Sequence, residues 1–117
     1  MAFGDILKNK DYSGKEKHVP TIDIGKGKGR DGTDEVTVLV GKEAPHPNTA
    51  EHHIAYLELY GVKGNGQVVS LARASFGPSY TSPKITIETS LSDIKTVYAI
   101  SYCNIHGLWE NSVKHRT

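Results

Sequence analysis

Histidine and cysteine are the residues of this chain whose types and spacing could do chemistry. The 117-residue sequence contains six histidines and one cysteine. Five of the histidines fall in or beside three polar blocks, which are Glu16-Lys17-His18, Pro45 to His53, and Cys103-Asn104-Ile105-His106. Neutral imidazole and thiolate are ligands that transition metals prefer. The blocks therefore predict a metal centre whose ligands come from distant parts of the chain.

The spacing within each block permits shared coordination, although each block taken alone is ambiguous. Two residues separate Cys103 from His106, so both can reach one ion while the N–H groups of the turn point at the sulfur. His46 and His52 lie six positions apart across a Pro- and Asn-containing turn that lets their rings converge. His52 and His53 are adjacent and project to opposite faces if a strand has begun. Periodicity leaves open which of the two is a ligand.

The donor set, with His18 included, would be four imidazoles and one thiolate. A structural zinc site uses four ligands in a closed tetrahedron, and blue copper uses two histidines, one cysteine and a weak axial group. Five donors of these types form a square pyramid with one open axial position, a geometry that suits iron. A ferrous ion in this set would keep a net charge of about +1, which attracts a small anion.

β-Strands must position these blocks, because the sequence alternates β-branched and polar residues between turn signals. Strands are predicted at Val19–Ile24, Val36–Val40, Ile54–Val62, Val68–Ala74, Lys84–Thr89, Thr96–Tyr102 and Leu108–Lys114. Helical turns are predicted only over Phe3–Asn9 and Ser90–Lys95. Short strands at this spacing favour a β-sandwich or barrel. Each polar block lies at a strand edge, where a loop can present ligands from a rigid scaffold.

Composition predicts one domain spanning residues 1–117, with residues 1–13 as a short lead-in segment. The formal net charge of +1 argues against a nucleic-acid partner. No apolar run approaches the roughly 18 residues of a membrane helix, so no membrane partner is expected. The single cysteine excludes an internal disulfide and favours the cytoplasm. The glycine-rich stretch Gly25–Gly32 lacks the Gly-Lys-Ser/Thr ending of a phosphate loop, which predicts a basic hairpin loop instead.

Three sequence blocks resemble those of the superoxide reductases, the neelaredoxin and desulfoferrodoxin group. They are Glu-Lys-His-Val-Pro, Gly-Lys-Glu-Ala-Pro-His-Pro-Asn-Thr-Ala-Glu-His-His-Ile and Ser-Tyr-Cys-Asn-Ile-His-Gly-Leu-Trp-Glu-Asn. The resemblance runs from Gly14 to Val113. It implies an all-β fold, a seven-stranded antiparallel immunoglobulin-like β-sandwich. Because the chain has one cysteine, it resembles the one-iron, neelaredoxin-like class.

The resemblance also assigns roles to individual residues. It implies one iron ion (Fe²⁺/Fe³⁺) per subunit, with four equatorial histidines and one axial cysteine, which are His18, His46, His52, His106 and Cys103. In the adjacent histidine pair it therefore selects His52. Glu16 matches a carboxylate that occupies the sixth position of the oxidised centre, and Lys17 matches a lysine beside the open position.

The implied reaction is the one-electron reduction of superoxide, with two protons, to hydrogen peroxide. By the same resemblance the electron donor would be rubredoxin-like and the assembly a homotetramer. Trp109 and Tyr102 are interpreted as packing residues near the site rather than as redox relays.

Three other functions compete with this interpretation. The chain could be an electron carrier that binds no substrate at its iron, or a binding module built around structural zinc. Cys103 and His106 could instead form a nucleophile–base pair. That pairing lacks a recognisable orienting acid and leaves the other histidines of the blocks unexplained.

Overall fold

The computed structural model describes residues 1–9, 18–42 and 44–115. Seven strands occur among these residues: β1 (Pro20–Lys26), β2 (Asp34–Val40), β3 (Ile54–Lys63), β4 (Val68–Ser75), β5 (Lys84–Thr89), β6 (Ile94–Cys103) and β7 (Gly107–Lys114). They form a three-stranded sheet of order β1-β2-β5 and a four-stranded sheet of order β4-β3-β6-β7. All pairings within the two sheets are antiparallel. The predicted seven-stranded, immunoglobulin-like sandwich is confirmed.

Alternating apolar residues explain why the two sheets pack face to face. Val36 and Val38 of β2 are completely buried, and so are Leu57 and Leu59 of β3 and Val97 of β6. Successive side chains of a strand point to opposite faces, so each strand sends every second residue into the core. Burial of each aliphatic side chain contributes about 1.5–3 kcal/mol before conformational entropy is subtracted. The core therefore holds the sheets in a fixed relation to one another.

The fourth strand distinguishes this sandwich from the constant-type immunoglobulin arrangement. In that arrangement the fourth strand joins the sheet of the first, second and fifth strands. Here β4 pairs with β3 instead, from Val62↔Val68 to Tyr56↔Ser75. Consequently β3 and β6 are the central strands of the four-stranded sheet, and both are paired on each side.

The two predicted helical turns have different outcomes. Phe3–Asp5 is a single 3₁₀ turn, shorter than the predicted range. The prediction over Ser90–Lys95 is wrong, because the segment is a tight turn closed by a 3.1 Å hydrogen bond from the Ile94 N–H to the Leu91 carbonyl. The side chains of Leu91 and Ile94 both enter the core, and β6 begins at Ile94. Within the described ranges, no helix has the length and apolar character needed to cross a membrane.

The glycine-rich stretch forms the β1–β2 connection, as predicted. The carboxylate of Glu88 on β5 accepts backbone N–H groups of this loop, from Lys28 at 3.2 Å and from Gly29 and Arg30 at 2.8 Å each. These bonds, with that of Arg30 the strongest, hold the pKa of Glu88 below its ordinary value. The loop is thus fastened to the third strand of its own sheet by a single side chain.

Candidate metal centre

The strand order brings the polar blocks to one end of the sandwich. His18 lies just before β1, whose first residue Pro20 pairs with Val40 at the end of β2. The chain from 41 to 53 then leads from the end of β2 to the start of β3. There Ile54 pairs with Cys103, the last residue of β6. Antiparallel pairing brings together the strand ends within each sheet, and the packing of the two sheets brings both pairs of ends to the same end of the sandwich.

Four of the predicted ligands converge into one group. The candidate donor atoms of His18, His46, His52 and Cys103 all lie within 4.8 Å of one another. Cys103 is completely buried, and His18 is 6% exposed. The Nε2 atoms of His46 and His52 are also buried. The structure therefore shows that these four side chains converge, as their spacing in the sequence permits.

His106, the fifth predicted ligand, faces this group from the turn between β6 and β7. Its Nδ1 lies 3.1 Å from Nε2 of His18 and 3.7 Å from Sγ of Cys103. The residue is exposed to solvent. His53, the alternative in the adjacent pair, instead places Nδ1 3.0 Å from the carbonyl oxygen of Thr49.

The four imidazoles are arranged as a closed cycle. Ring centroids are 4.8 Å apart for His18–His46, for His46–His52 and for His18–His106, and 5.0 Å apart for His52–His106. Neighbouring rings are inclined by 59–79°. Four imidazoles in such a cycle can each turn a nitrogen toward one common point, and Sγ of Cys103 lies 3.7 Å from Nδ1 of His106.

The distances suit a transition-metal ion. Two nitrogens bound at about 2.1 Å and at right angles would be about 3.0 Å apart, and an opposed pair about 4.2 Å. The 3.1 Å between His18 and His106 matches the first value. Soft thiolate and borderline imidazole donors suit iron, zinc or copper rather than calcium or magnesium. The residues therefore fit a mononuclear transition-metal centre.

Contacts outside the donor atoms orient two of the imidazoles and the thiol. Nδ1 of His46 lies 2.7 Å from the carbonyl oxygen of Pro47, which leaves Nε2 as the donor atom. The backbone N–H of His106 donates to Sγ of Cys103 at 3.4 Å, as the Cys-x-x-His spacing predicted. Trp109 stacks on the His18 ring at 4.6 Å and 10°. Partners of this kind fix ring orientation and ligand basicity.

Two asparagines that the sequence analysis did not assign hold the ligand-bearing loops together. Asn104 donates through Nδ2 to the Glu51 carbonyl at 2.9 Å, and its Oδ1 accepts the His53 N–H at 2.9 Å. Asn48 donates to the Thr81 carbonyl and accepts the N–H of Ser79. Their positions inside the histidine and cysteine blocks were visible in the sequence, but their partners lie in other segments.

Gly41 controls the backbone at the start of the loop that carries His46. Its φ is +95°, a region that side chains rarely adopt. A Cβ at this position would lie 3.0 Å from the backbone nitrogen of His46. Glycine here therefore lets the chain pass close beneath the ligand loop.

The predicted substrate-side residues, Glu16 and Lys17, lie outside the described residues. Their roles remain predictions that rest on the sequence resemblance.

Comparisons with known proteins identify relatives of the whole chain. The Desulfoferrodoxin family profile matches residues 10–112. A superoxide reductase from Pyrococcus abyssi is 45% identical over 114 residues, which cover 94% of this chain and 96% of the relative. The neelaredoxin of Megalodesulfovibrio gigas is 36% identical over 126 residues and covers 96% and 95% of the two chains. The solved superoxide reductase (neelaredoxin) from Ignicoccus hospitalis superimposes with a TM-score of 0.84 at 35% identity, covering 99% and 98%.

Proposed function

Because the chain belongs to the desulfoferrodoxin family, we propose that it is a superoxide reductase with a mononuclear iron centre. The reaction takes one superoxide, one electron and two protons to one hydrogen peroxide, and it releases no dioxygen. The closed cycle of four imidazoles beside a buried thiol is the observation that supports this function most directly.

The iron would have five protein ligands in this proposal. His18, His46, His52 and His106 would supply four imidazole donors to the iron, and Cys103 would supply a thiolate. Bound iron supplies the single electron and an open position for a small anion. Cys103 donates charge from the buried side, while the His106 N–H at 3.4 Å tempers that donation.

Two further residues act on the substrate side. Lys17 attracts the superoxide anion and orders the water that delivers protons. Glu16 would supply a carboxylate to the oxidised iron, which an external donor would return to the ferrous state. Both roles come from the match of these residues to the family motif.

Other features of the proposal concern the chain as a whole. A rubredoxin-like protein supplies the electron, and the cytoplasm keeps Cys103 reduced. Residues 1–117 act as one domain, with 1–13 as its lead-in, and subunits assemble as a homotetramer. The outer face of the four-stranded sheet supports assembly, because its groove of about 620 Å³ is lined mainly by apolar and aromatic residues.

Metal analysis combined with spectroscopy and stopped-flow kinetics tests the function. We expect one iron per chain, a visible thiolate-to-iron absorption band on oxidation, and second-order consumption of superoxide by the reduced protein. Hydrogen peroxide should form in a 1:1 ratio to protein without dioxygen. A colourless protein that contains stoichiometric zinc would refute the proposal in favour of a structural zinc module. Iron that exchanges electrons but binds neither superoxide nor azide would favour an electron carrier.

A further inference from the structure

We infer that Trp109 is a positioning residue that holds the His18 and His106 imidazoles in place for metal binding. The inference rests on the proposed metal centre, and it assigns an active role to a side chain interpreted from the sequence as simple packing. Trp109 is the only tryptophan of the chain. It is 2% exposed and lies on β7, next to the donor group.

The first contact is with the ring of His18. The indole and the imidazole are almost parallel, with centroids 4.6 Å apart and planes inclined by 10°. His18 comes from the stretch before β1, and its backbone carbonyl accepts the Ser101 hydroxyl at 2.8 Å. The backbone is therefore held by Ser101 and the ring plane by Trp109, which itself pairs with Ser101 across β6 and β7.

The second contact is with the turn that carries His106. Nε1–H of Trp109 donates to the His106 carbonyl at 3.2 Å. This bond connects the turn to the first part of β7, so the turn cannot move independently of the indole. His18 and His106 are 88 positions apart in sequence. One indole thus fixes the relative position of two ligands that are too far apart in sequence for local structure to align them.

The N-terminal segment supports Trp109 from outside the site. Lys8 forms a parallel bridge with Trp109, and the Glu110 N–H donates to the Lys8 carbonyl at 2.8 Å. The Lys8 ammonium lies 5.4 Å from the centroid of the indole, within the range of a cation–π contact. Lys8 and Glu110 therefore restrain the backbone of the strand at the indole.

Because Trp109 restrains two of the proposed ligands, its loss should lower the affinity of the protein for a metal ion. Two nitrogens 3.1 Å apart are already at the separation of adjacent ligands. Loss of the contacts that orient a ligating histidine typically lowers metal affinity about 10–100-fold. We therefore expect the indole to contribute to affinity in the apoprotein, before any turnover takes place.

The experiment is a Co²⁺ titration of the folded apoprotein, followed by the d–d bands and by the thiolate-to-metal absorption. W109L removes both the stack and the hydrogen bond, and we expect it to weaken Co²⁺ binding about tenfold or more. W109F keeps an aromatic ring over His18 and should recover most of that loss. Y56L is the matched control, because Tyr56 stacks on Tyr102 in the same sheet but outside the donor group.

A native reporter accompanies the titration. Because Trp109 is the only tryptophan, its fluorescence in the wild-type protein should be quenched by Co²⁺ with the dissociation constant that the d–d bands give. Altered d–d bands in W109L, restored in W109F, would distinguish ligand misplacement from a general loss of stability.

Several outcomes would overturn the inference. A folded W109L that binds Co²⁺ with wild-type affinity and an unchanged spectrum removes Trp109 from positioning, and so does a W109F as weak as W109L. If W109L does not fold, unchanged wild-type fluorescence at saturating Co²⁺ decides against the inference. Wild-type protein without any thiolate-to-Co²⁺ absorption would instead refute the proposed metal centre itself.

Discussion

At the residue scale, the thiol of Cys103 and the ring of His106 have opposite surroundings although they belong to one turn. Cys103 is completely buried, whereas His106 is exposed to solvent. A buried sulfur can bind metal only from the cycle of imidazoles next to it. The turn therefore combines a protected thiol with a solvent-exposed imidazole.

Cys103→Ser tests the axial assignment. A serine hydroxyl is a harder and less basic donor than a thiolate, so we expect the visible thiolate-to-iron band of the oxidised protein to disappear. Iron content and absorption spectra of the oxidised variant provide the measurement. Persistence of the band in iron-loaded Cys103→Ser would contradict the assignment.

Lys17→Ala tests electrostatic attraction of the substrate. In the proposed mechanism Lys17 attracts superoxide, so removal of its positive charge should slow the bimolecular step about tenfold, which corresponds to about 1.4 kcal/mol. It should also flatten the dependence of the rate on ionic strength. Stopped-flow kinetics at several salt concentrations measure both effects.

Lys114→Ala is the matched control for this substitution. Lys114 is an exposed lysine at the end of β7 opposite to the candidate site. The Lys114→Ala substitution should leave both the rate of the bimolecular step and its dependence on ionic strength unchanged. Equal behaviour of the two variants would show that Lys17 has no specific role.

At the scale of elements, the ligands depend on loops that are fixed to one another rather than on strands alone. Asn104 connects the turn after β6 to the residues before β3, and Asn48 connects the loop before His52 to the segment from Ser79 to Thr81. Each asparagine uses both its amide oxygen and its amide nitrogen. Hydrogen bonds of this kind restrain the loops that carry the donor atoms.

Gly41→Ala tests how the loop before His46 is set. An alanine at φ +95° is strained by about 1–2 kcal/mol, and its Cβ would also press on the His46 nitrogen at 3.0 Å. We expect lower thermal stability together with weaker metal binding, measured by unfolding and by Co²⁺ titration.

Gly66→Ala separates these two effects. Gly66 has a φ of +89°, and a Cβ there would meet nothing within 4 Å. The variant should lose a similar amount of stability while metal affinity stays unchanged. Equal losses of metal affinity in both variants would mean that the contact with His46 is unimportant.

At the scale of the whole molecule, the sandwich places the candidate metal centre and the β1–β2 loop at opposite ends of β1. The loop follows Lys26, whereas His18 precedes Pro20. Glu88 fastens the loop through three backbone N–H groups. A substitution at the β1–β2 loop can therefore change the stability of the protein without touching the metal ligands.

Acid should loosen the loop through Glu88. Backbone N–H groups lower the pKa of this carboxyl from its ordinary value of 4.5, so the folded state binds its proton less readily than the unfolded state. The stabilisation is complete above pH 4.5 and is lost as the pH falls through the lower pKa of the folded protein. Unfolding curves recorded from pH 7 to pH 3 should show this decline.

Glu88→Gln should remove part of the pH dependence and lower stability at pH 7. Glu35→Gln, which changes the residue paired with Glu88 on β2, should keep the acid-dependent decline. If the wild type and Glu88→Gln lose stability in parallel below pH 4.5, the carboxylate does not hold the loop.

The sequence by itself determined the classes of donor side chain and the strands that present them. Imidazole and thiolate chemistry follows from residue type, and alternation of residues such as Val36 and Val38 follows from the period of a strand facing a core. The match of whole motifs to a known family selected His52 over His53, which alternation could not do. The ligand roles of these residues remain predictions that metal analysis and substitution will test.

Only the tertiary structure decided which groups surround the donors. The stack of Trp109 on His18, the bonds of Asn104 and the closeness of Gly41 to His46 each join separate segments of the chain. The helical turn predicted over Ser90–Lys95 was wrong for a related reason, because burial of its apolar side chains between the sheets outweighed local propensity. The local sequence pattern indicates which secondary structure a segment can form. Contacts between distant residues depend instead on how all the strands pack.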